Sequence, residues 1–233
     1  MRIFQKGFNF GQDGPGNRLV YHLQGCNMHC IWCSNPEGMK SEGGKEYTPS
    51  QILDECMRSR MMFFSGGGVT FTGGECTLQM NDLLETCRLL KENGIHTCIE
   101  TNGTSPRLPE LSPYIDYLIM DFKHHDSGVL KEFTRVGNEK IKNNYEWLCT
   151  HREQYHVRIP LINHFNADSP EAFAEYFSSV PHDNVVFEFL SYHEYGKDKW
   201  TEEYLVKDGF ISKDTVPEYV RIFREHGLKV IST

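Results

Sequence analysis

The sequence predicts an α/β fold, a partial (β/α)6 TIM-like barrel built as a single domain over residues 1–233. Three observations point there. Apolar runs of five or six residues alternate with stretches of helical periodicity, the pattern of βα units joined by right-handed crossovers into a parallel sheet. Several helical stretches carry explicit start and stop residues. The apolar runs number six or seven, fewer than the eight strands of a closed barrel.

In chain order, residues 19–24 are the first expected strand. Thr48-Pro49-Ser50-Gln51 reads as an N-cap, a first-turn proline and a capping-box glutamine, opening a helix to about residue 63 that runs into Gly66-Gly67-Gly68. A strand is expected at 68–72. Asn81 is placed to cap the next helix, which carries Leu83, Leu84, Cys87 and Leu90 and ends at Gly94 in a left-handed turn. Strands at 96–100, 117–122, 157–160 and 185–190 and helices at 140–152, 169–180 and 215–226 follow, with Gly227 closing the last helix and a final strand at 228–232. Repeats, low-complexity tracts and linkers are not evident. Chemistry in parallel sheets collects at the carboxyl ends of strands, so side chains there are the candidates.

Composition narrows the class. With 24 Lys and Arg against 32 Asp and Glu, the net charge is −8, and no basic run marks a nucleic-acid arm. Residues 1–14 lack the apolar core of a signal peptide, and no stretch of about 18 apolar residues occurs, so a cytoplasmic protein without a membrane partner is expected. Eight cysteines, unevenly placed, do not suit a disulfide framework in a reducing compartment.

Cys26, Cys30 and Cys33 are spaced C-x3-C-x2-C directly after the first expected strand. Thiolates select zinc, copper(I) or iron–sulfur clusters, and a four-iron cluster held by only three of them keeps one iron open to another ligand. Structural zinc with His29 as fourth ligand, and plain burial of the cysteines, are the alternatives from spacing alone. Chelation by the adjacent His29 and Cys30 is awkward, and no second C-x2-C pair is present. Cys56, Cys87, Cys98 and Cys149 fall inside strand or helix patterns and read as small buried hydrophobes.

The cysteine motif with Trp32 before its last member resembles the radical S-adenosylmethionine (radical SAM) superfamily. Asp13-Gly14-Pro15-Gly16-Asn17-Arg18 and Gln24-Gly25-Cys26 are similar to the DGPG-x-R and QGC elements of glycyl radical enzyme activating enzymes. GGGVTFTGGE (66–75), ETNG (100–103), DFK (121–123), RIPLINHFN (158–166) and SYHEYGKDKW (191–200) extend the likeness along nearly the whole chain. The resemblance implies a radical SAM core with one [4Fe–4S] cluster on Cys26, Cys30 and Cys33, and S-adenosylmethionine at the open iron. It further implies a glycyl radical enzyme as protein substrate, flavodoxin or ferredoxin as electron donor, anaerobic chemistry and a monomer. Members with Ser-Asn-Pro-Glu after the last cysteine, as at 34–37, often carry a ferredoxin-like insert; residues 38–46 here contain no cysteine, so one cluster is expected.

The same resemblance distributes roles, each with a physical rationale. Trp32 neighbours the cofactor. Gly73 and Gly74 allow close backbone approach to a ligand, and Glu75 accepts from the methionine ammonium. The family has Pro after this Glu, whereas here Cys76 follows. Asp121 and Lys123 alternate with Phe122, so they share a face as a charge pair turned toward the cofactor carboxylate or the incoming peptide. Glu100 and Thr101, where the family often has Asp-Thr, are with Asp121 the expected holders of a monovalent alkali cation. Arg158 offers a guanidinium fork to the cofactor, and His193 lines the site near the adenosine. Asn138 is a weaker assignment of the same kind. A deazapurine synthase-like enzyme acting on a small molecule shares the cluster and GGE, and a zinc-stabilised binding module shares the cysteines; DGPG-x-R and the YH-x-x-G-x-x-K pattern favour the activating enzymes.

Overall fold

The computed structural model describes residues 1–64 and 66–231. Two compact units are distinguished: Met1–Asn27, Asn35–Thr101 and Ser105–Ile119 form the first; Met28–Ser34, Asn102–Thr104 and the chain from Met120 onward form the second.

The first unit opens with β1 (Arg2–Phe10), antiparallel to β2 (Asn17–Leu23), and the two-residue β3 (Lys45–Glu46) pairs with the start of β1. After α1 (Pro49–Arg58), β4 (Gly68–Gly73) lies parallel to β2; after α2 (Met80–Glu92), β5 (Thr97–Thr101) lies parallel to β4. The strand order is β3-β1-β2-β4-β5, and the short α3 (Leu108–Leu111) follows. The expected parallel sheet is present in β2, β4 and β5, and β1 and β3 add antiparallel strands to it. The first strand has no apolar run to announce it: of its nine residues only Ile3 is buried and 5–8 are exposed, beyond the two positions at which β3 pairs with it.

Helix punctuation is largely as read. Gln51 N donates to Thr48 Oγ1 at 3.2 Å while Thr48 N donates to Gln51 Oε1 at 2.9 Å, both halves of a capping box. The helix stops at Arg58 rather than 63, tightening after Ser59 into a 3₁₀ turn over Arg60–Met62. Asn81 is not a cap. A 3₁₀ turn at Cys76–Gln79 already starts the chain coiling, so α2 begins at Met80 and Asn81 Oδ1 instead accepts from Arg107 Nη1 at 2.9 Å. Ile52, Cys56, Leu83, Cys87 and Leu90 face the sheet without exposure, and Tyr21 stacks on Phe71 at 5.6 Å. Each such aliphatic side chain contributes about 1.5–3 kcal/mol by leaving water.

Arg18 of the DGPG-x-R motif is wholly buried. Its guanidinium donates to Thr70 Oγ1 at 2.6 Å, Val69 O at 2.5 Å and Pro15 O at 2.9 Å, so the buried charge is compensated by acceptor oxygens. Burial lowers its pKa, and Asp116 and Asp13 are among the groups that oppose the shift. The motif is a structural lock between the loop before β2 and the start of β4.

β6 (Tyr117–Asp121) begins in the first unit and ends in the second. The second unit continues with α4 (Ser127–Thr134), α5 (Glu139–His151), β7 (Tyr155–Leu161), α6 (Pro170–Ser178), β8 (Val185–Ser191) and α7 (Thr215–Glu225). Strand order is β6-β7-β8, with β7 and β8 parallel from Tyr155↔Val185 to Leu161↔Ser191. Its core is aromatic: Phe122 meets Phe177 at 4.8 Å and Tyr176 at 5.5 Å, and Phe187 meets Phe177 at 4.6 Å and Phe223 at 5.2 Å. α4 was not anticipated; Asp126 caps it, accepting from Val129 N at 2.8 Å. The strand expected at 228–232 is reduced to one bridge between Val230 and Phe187, and Ser232 lies outside the described residues.

Candidate active site

The first unit presents a carboxylate held by threonines at the end of β4. A Cβ on Gly73 would stand 2.2 Å from Leu23 N, and one on Gly74 would stand 2.1 Å from Gly25 O and 2.4 Å from Gly38 O. Bare glycines let the turn press on the backbone that leads into Cys26, where Gly74 N donates to Leu23 O at 2.9 Å and Glu75 N to Gly25 O at 2.7 Å. The close approach expected toward a ligand is thus already made to protein backbone. Glu75 is buried, 1% exposed, and its Oε1 accepts from Thr77 N at 3.0 Å, Thr77 Oγ1 at 2.5 Å and Thr101 Oγ1 at 2.7 Å. Those donors offset the desolvation of a buried carboxylate.

Cys76 closes the same turn. Its Sγ is buried and donates to Glu100 O at 3.3 Å, and burial pushes the thiol well up. A thiol held neutral in this way is a poor metal ligand and a poor target for oxidation. Glu100 itself is half-buried at the end of β5.

The second unit carries charge pairs. Lys123 Nζ donates to Asp121 Oδ2 at 2.8 Å, the pairing that alternation predicts, with the Lys side chain 10% and the Asp side chain 37% exposed. Asn166 Nδ2 donates to Lys123 O at 2.9 Å and Pro160 O at 2.7 Å, which fixes the backbone under the pair. On β7 and β8, Arg158 Nε donates to Glu188 Oε2 at 2.7 Å and His156 Nε2 stands 3.3 Å from the same oxygen. Burial alone would raise the Glu188 carboxyl; His156 and Arg158 outweigh it and hold the group down at about 2. His193, half-buried past β8, stacks on Tyr195 at 4.2 Å, and burial lowers its pKa. Asn138 Nδ2 is spent on His124 O at 3.0 Å and His125 O at 2.7 Å, so it clamps backbone.

Cys26 belongs to the first unit and Cys30, Trp32 and Cys33 to the second. His29 N and Ile31 N donate to Thr134 O and Phe133 O at 2.9 and 3.3 Å, anchoring the loop on the end of α4, and Trp200 Nε1 donates to Cys33 O at 3.0 Å. Trp32 packs 4.5 Å from Phe165 and 6.3 Å from Phe133 and lines an apolar cleft of about 300 Å³ with Ile162 and Leu205. None of the eight cysteines is in a disulfide; Cys30 is buried and Cys26 and Cys33 are partly exposed. Among the described residues no group of three or more His, Cys, Asp or Glu side chains stands arranged to hold a metal ion. The donor set nevertheless fits an iron–sulfur cluster: three soft ligands on one loop, none consumed in a disulfide. Cys56, Cys87 and Cys98 are buried as expected, but Cys149 is only half-buried and its Sγ donates to Pro181 O at 2.8 Å.

Comparison with known proteins decides among the readings of the cysteines. The family model described as the Radical SAM superfamily matches residues 20–177. The chain belongs to the radical SAM superfamily. Its cofactors are accordingly a [4Fe–4S] cluster and S-adenosylmethionine, which displaces the structural-zinc alternative. Over 231 residues, 94% of this chain and 93% of the relative, it is 32% identical to pyruvate formate-lyase 1-activating enzyme of Escherichia coli (strain K12). A crystal structure of a domain of pyruvate-formate lyase-activating enzyme from Bacteroides vulgatus ATCC 8482 superposes with a TM-score of 0.60 at 29% identity, covering 71% of this chain and 98% of that one. Streptococcus suis SuiB bound to precursor peptide SuiA gives a TM-score of 0.69 over 91% of this chain and 47% of that one; at 16% identity this is a likeness of fold alone. The α/β partial-barrel class predicted from the sequence is that of these neighbours.

Three residues that hold these groups carry no signal in the sequence. Glu188 is the carboxylate opposite Arg158, and the i, i+2 alternation through β8 offers no motif that names it. Trp200 sits within the SYHEYGKDKW segment but reaches back to Cys33 over 167 positions, a contact that sequence distance hides. Thr77 follows GGE by two residues and looks like any turn residue.

Proposed function

We infer that the protein is the activase of a glycyl radical enzyme, removing hydrogen from a backbone glycine of that partner and leaving a glycyl radical there. The near full-length likeness to an activating enzyme carries this reading. When bound, the reduced cluster and S-adenosylmethionine supply one-electron cleavage of a carbon–sulfur bond and the hydrogen-abstracting power; the protein binds, orients and excludes water. Cys26, Cys30 and Cys33 hold three irons of the single cluster, with Trp32 beside them. Glu75, on the Gly73-Gly74 turn, takes the methionine ammonium, and Arg158 and His193 are cofactor-binding residues. Asp121, more exposed than its partner Lys123, is the member of that pair available to the cofactor carboxylate or the incoming peptide. Glu100, Thr101 and Asp121 are the holders of a monovalent cation. A flavodoxin or ferredoxin delivers the electron. The chain works as a single radical SAM domain, as a monomer, in an anaerobic cytoplasm.

The test is anaerobic reconstitution with iron and sulfide, reduction with dithionite in the presence of S-adenosylmethionine, and quantification of 5′-deoxyadenosine. Cluster-dependent formation that vanishes in Cys30→Ala is the expected result. A fully loaded cluster that yields none refutes the reading.

A further inference from the structure

The hydrogen bonds around Glu75 point beyond the motif that contains it. GGE ends at residue 75, yet two of the donors to its Oε1 belong to Thr77, the hydroxyl at 2.5 Å and the N–H at 3.0 Å, beside Thr101 Oγ1 at 2.7 Å. Thr77 and Thr101 are each 4% exposed, and Glu75 1%. Donors converging on one carboxylate oxygen fix the plane of the group, and with it the directions in which its lone pairs point. The turn that brings Thr77 into place is itself pinned: Cys76 Sγ donates to Glu100 O at 3.3 Å, so the residue between Glu75 and Thr77 is tied to the end of β5, next to Thr101. A neutral thiol serves this purpose because it donates without adding charge beside a carboxylate.

We propose that Thr77 is a positioning residue for S-adenosylmethionine, acting through Glu75: its hydroxyl aims the carboxylate that receives the methionine ammonium. The proposal rests on the reading of Glu75 given above. The alternative is local capping. Glu75 is the N-cap of the 3₁₀ turn at Cys76–Gln79 and would accept from the Thr77 N–H for that reason alone. The hydroxyl separates the two, since capping needs only the backbone donor.

Binding of S-adenosylmethionine to the cluster-loaded protein is measured by isothermal titration calorimetry for Thr77→Val, Thr77→Ser and Glu75→Gln, with thermal unfolding of each. Val is close to Thr in shape and keeps the backbone N–H. A hydrogen bond to a charged group is worth about a tenfold change in an equilibrium, so Thr77→Val is expected to raise Kd about tenfold with Tm little changed, and Thr77→Ser to restore it. An unchanged Kd in Thr77→Val while Glu75→Gln binds weakly overturns the positioning role and leaves the Glu75 reading intact. An unchanged Kd in Glu75→Gln overturns the reading on which the proposal rests. Should Thr77→Val unfold, the Ser variant decides: a Kd that stays weak with Tm restored contradicts the proposal.

Discussion

The candidate residues of the two units are held in place by different physics. In the first unit Glu75 Oε1 accepts from neutral donors, two threonine hydroxyls and an amide, with a neutral thiol bracing the turn. In the second, charges hold charges: Lys123 with Asp121, and Arg158 with Glu188. Neutral donors keep their protons across the working pH range. Ion pairs respond to pH, and the exposed ones respond to salt. Glu75 is thus oriented by hydrogen-bond geometry and Glu188 by its ion pair, so perturbations should separate the two carboxylates.

The largest stability effect is expected for Glu188→Leu. It leaves Arg158, whose side chain is 13% exposed, without its carboxylate, and breaking a pair of this kind costs about 3 kcal/mol in urea unfolding. A loss below about 0.5 kcal/mol would show the second unit does not depend on that pair.

The pH dependence of unfolding is the next discriminator. The folded Glu188 carboxyl, held at about 2, lies below its ordinary value of 4.5, so it contributes stability that is complete above the ordinary range and is lost as pH falls from about 4.5 toward 2. Wild type should lose more stability over that window than Glu188→Gln. Parallel curves would contradict the assignment.

Cys76→Ala removes the brace in the first unit and should cost about 1 kcal/mol, the worth of an ordinary hydrogen bond. Iron and sulfide content should equal wild type, in contrast to Cys30→Ala. A drop in cluster content would make Cys76 a ligand.

Lys123→Met should be the mildest to stability, within about 1 kcal/mol, because Asp121 is 37% exposed and solvent screens the pair. Formation of 5′-deoxyadenosine should nevertheless fall if the pair faces the cofactor, and an unaffected rate would make it purely structural.

What the sequence revealed follows the same division between local and distant. The Thr48–Gln51 capping box and the Asp121–Lys123 pair depend on residues two or three apart, so spacing alone predicts them. β1 is not legible in the sequence because a strand with one buried residue has no apolar signature. Asn81 was misread as a cap because nothing in its neighbourhood announces the preceding 3₁₀ turn. Gly73 and Gly74 were recognised as close-approach glycines, but what they approach is the backbone at Leu23–Gly25, some 50 positions away. The glutamate opposite Arg158 and the tryptophan on Cys33 O are likewise pairings across the fold, set by strand register and loop return rather than by any local pattern.

The most direct test of the central claim follows a hydrogen atom. A glycine-loop peptide of a glycyl radical enzyme, deuterated at the glycine α-carbon, is incubated anaerobically with the reconstituted, reduced protein and S-adenosylmethionine, and 5′-deoxyadenosine is analysed by mass spectrometry. Deuterium in its 5′ position is the predicted result. Abundant 5′-deoxyadenosine that carries none would contradict abstraction from glycine.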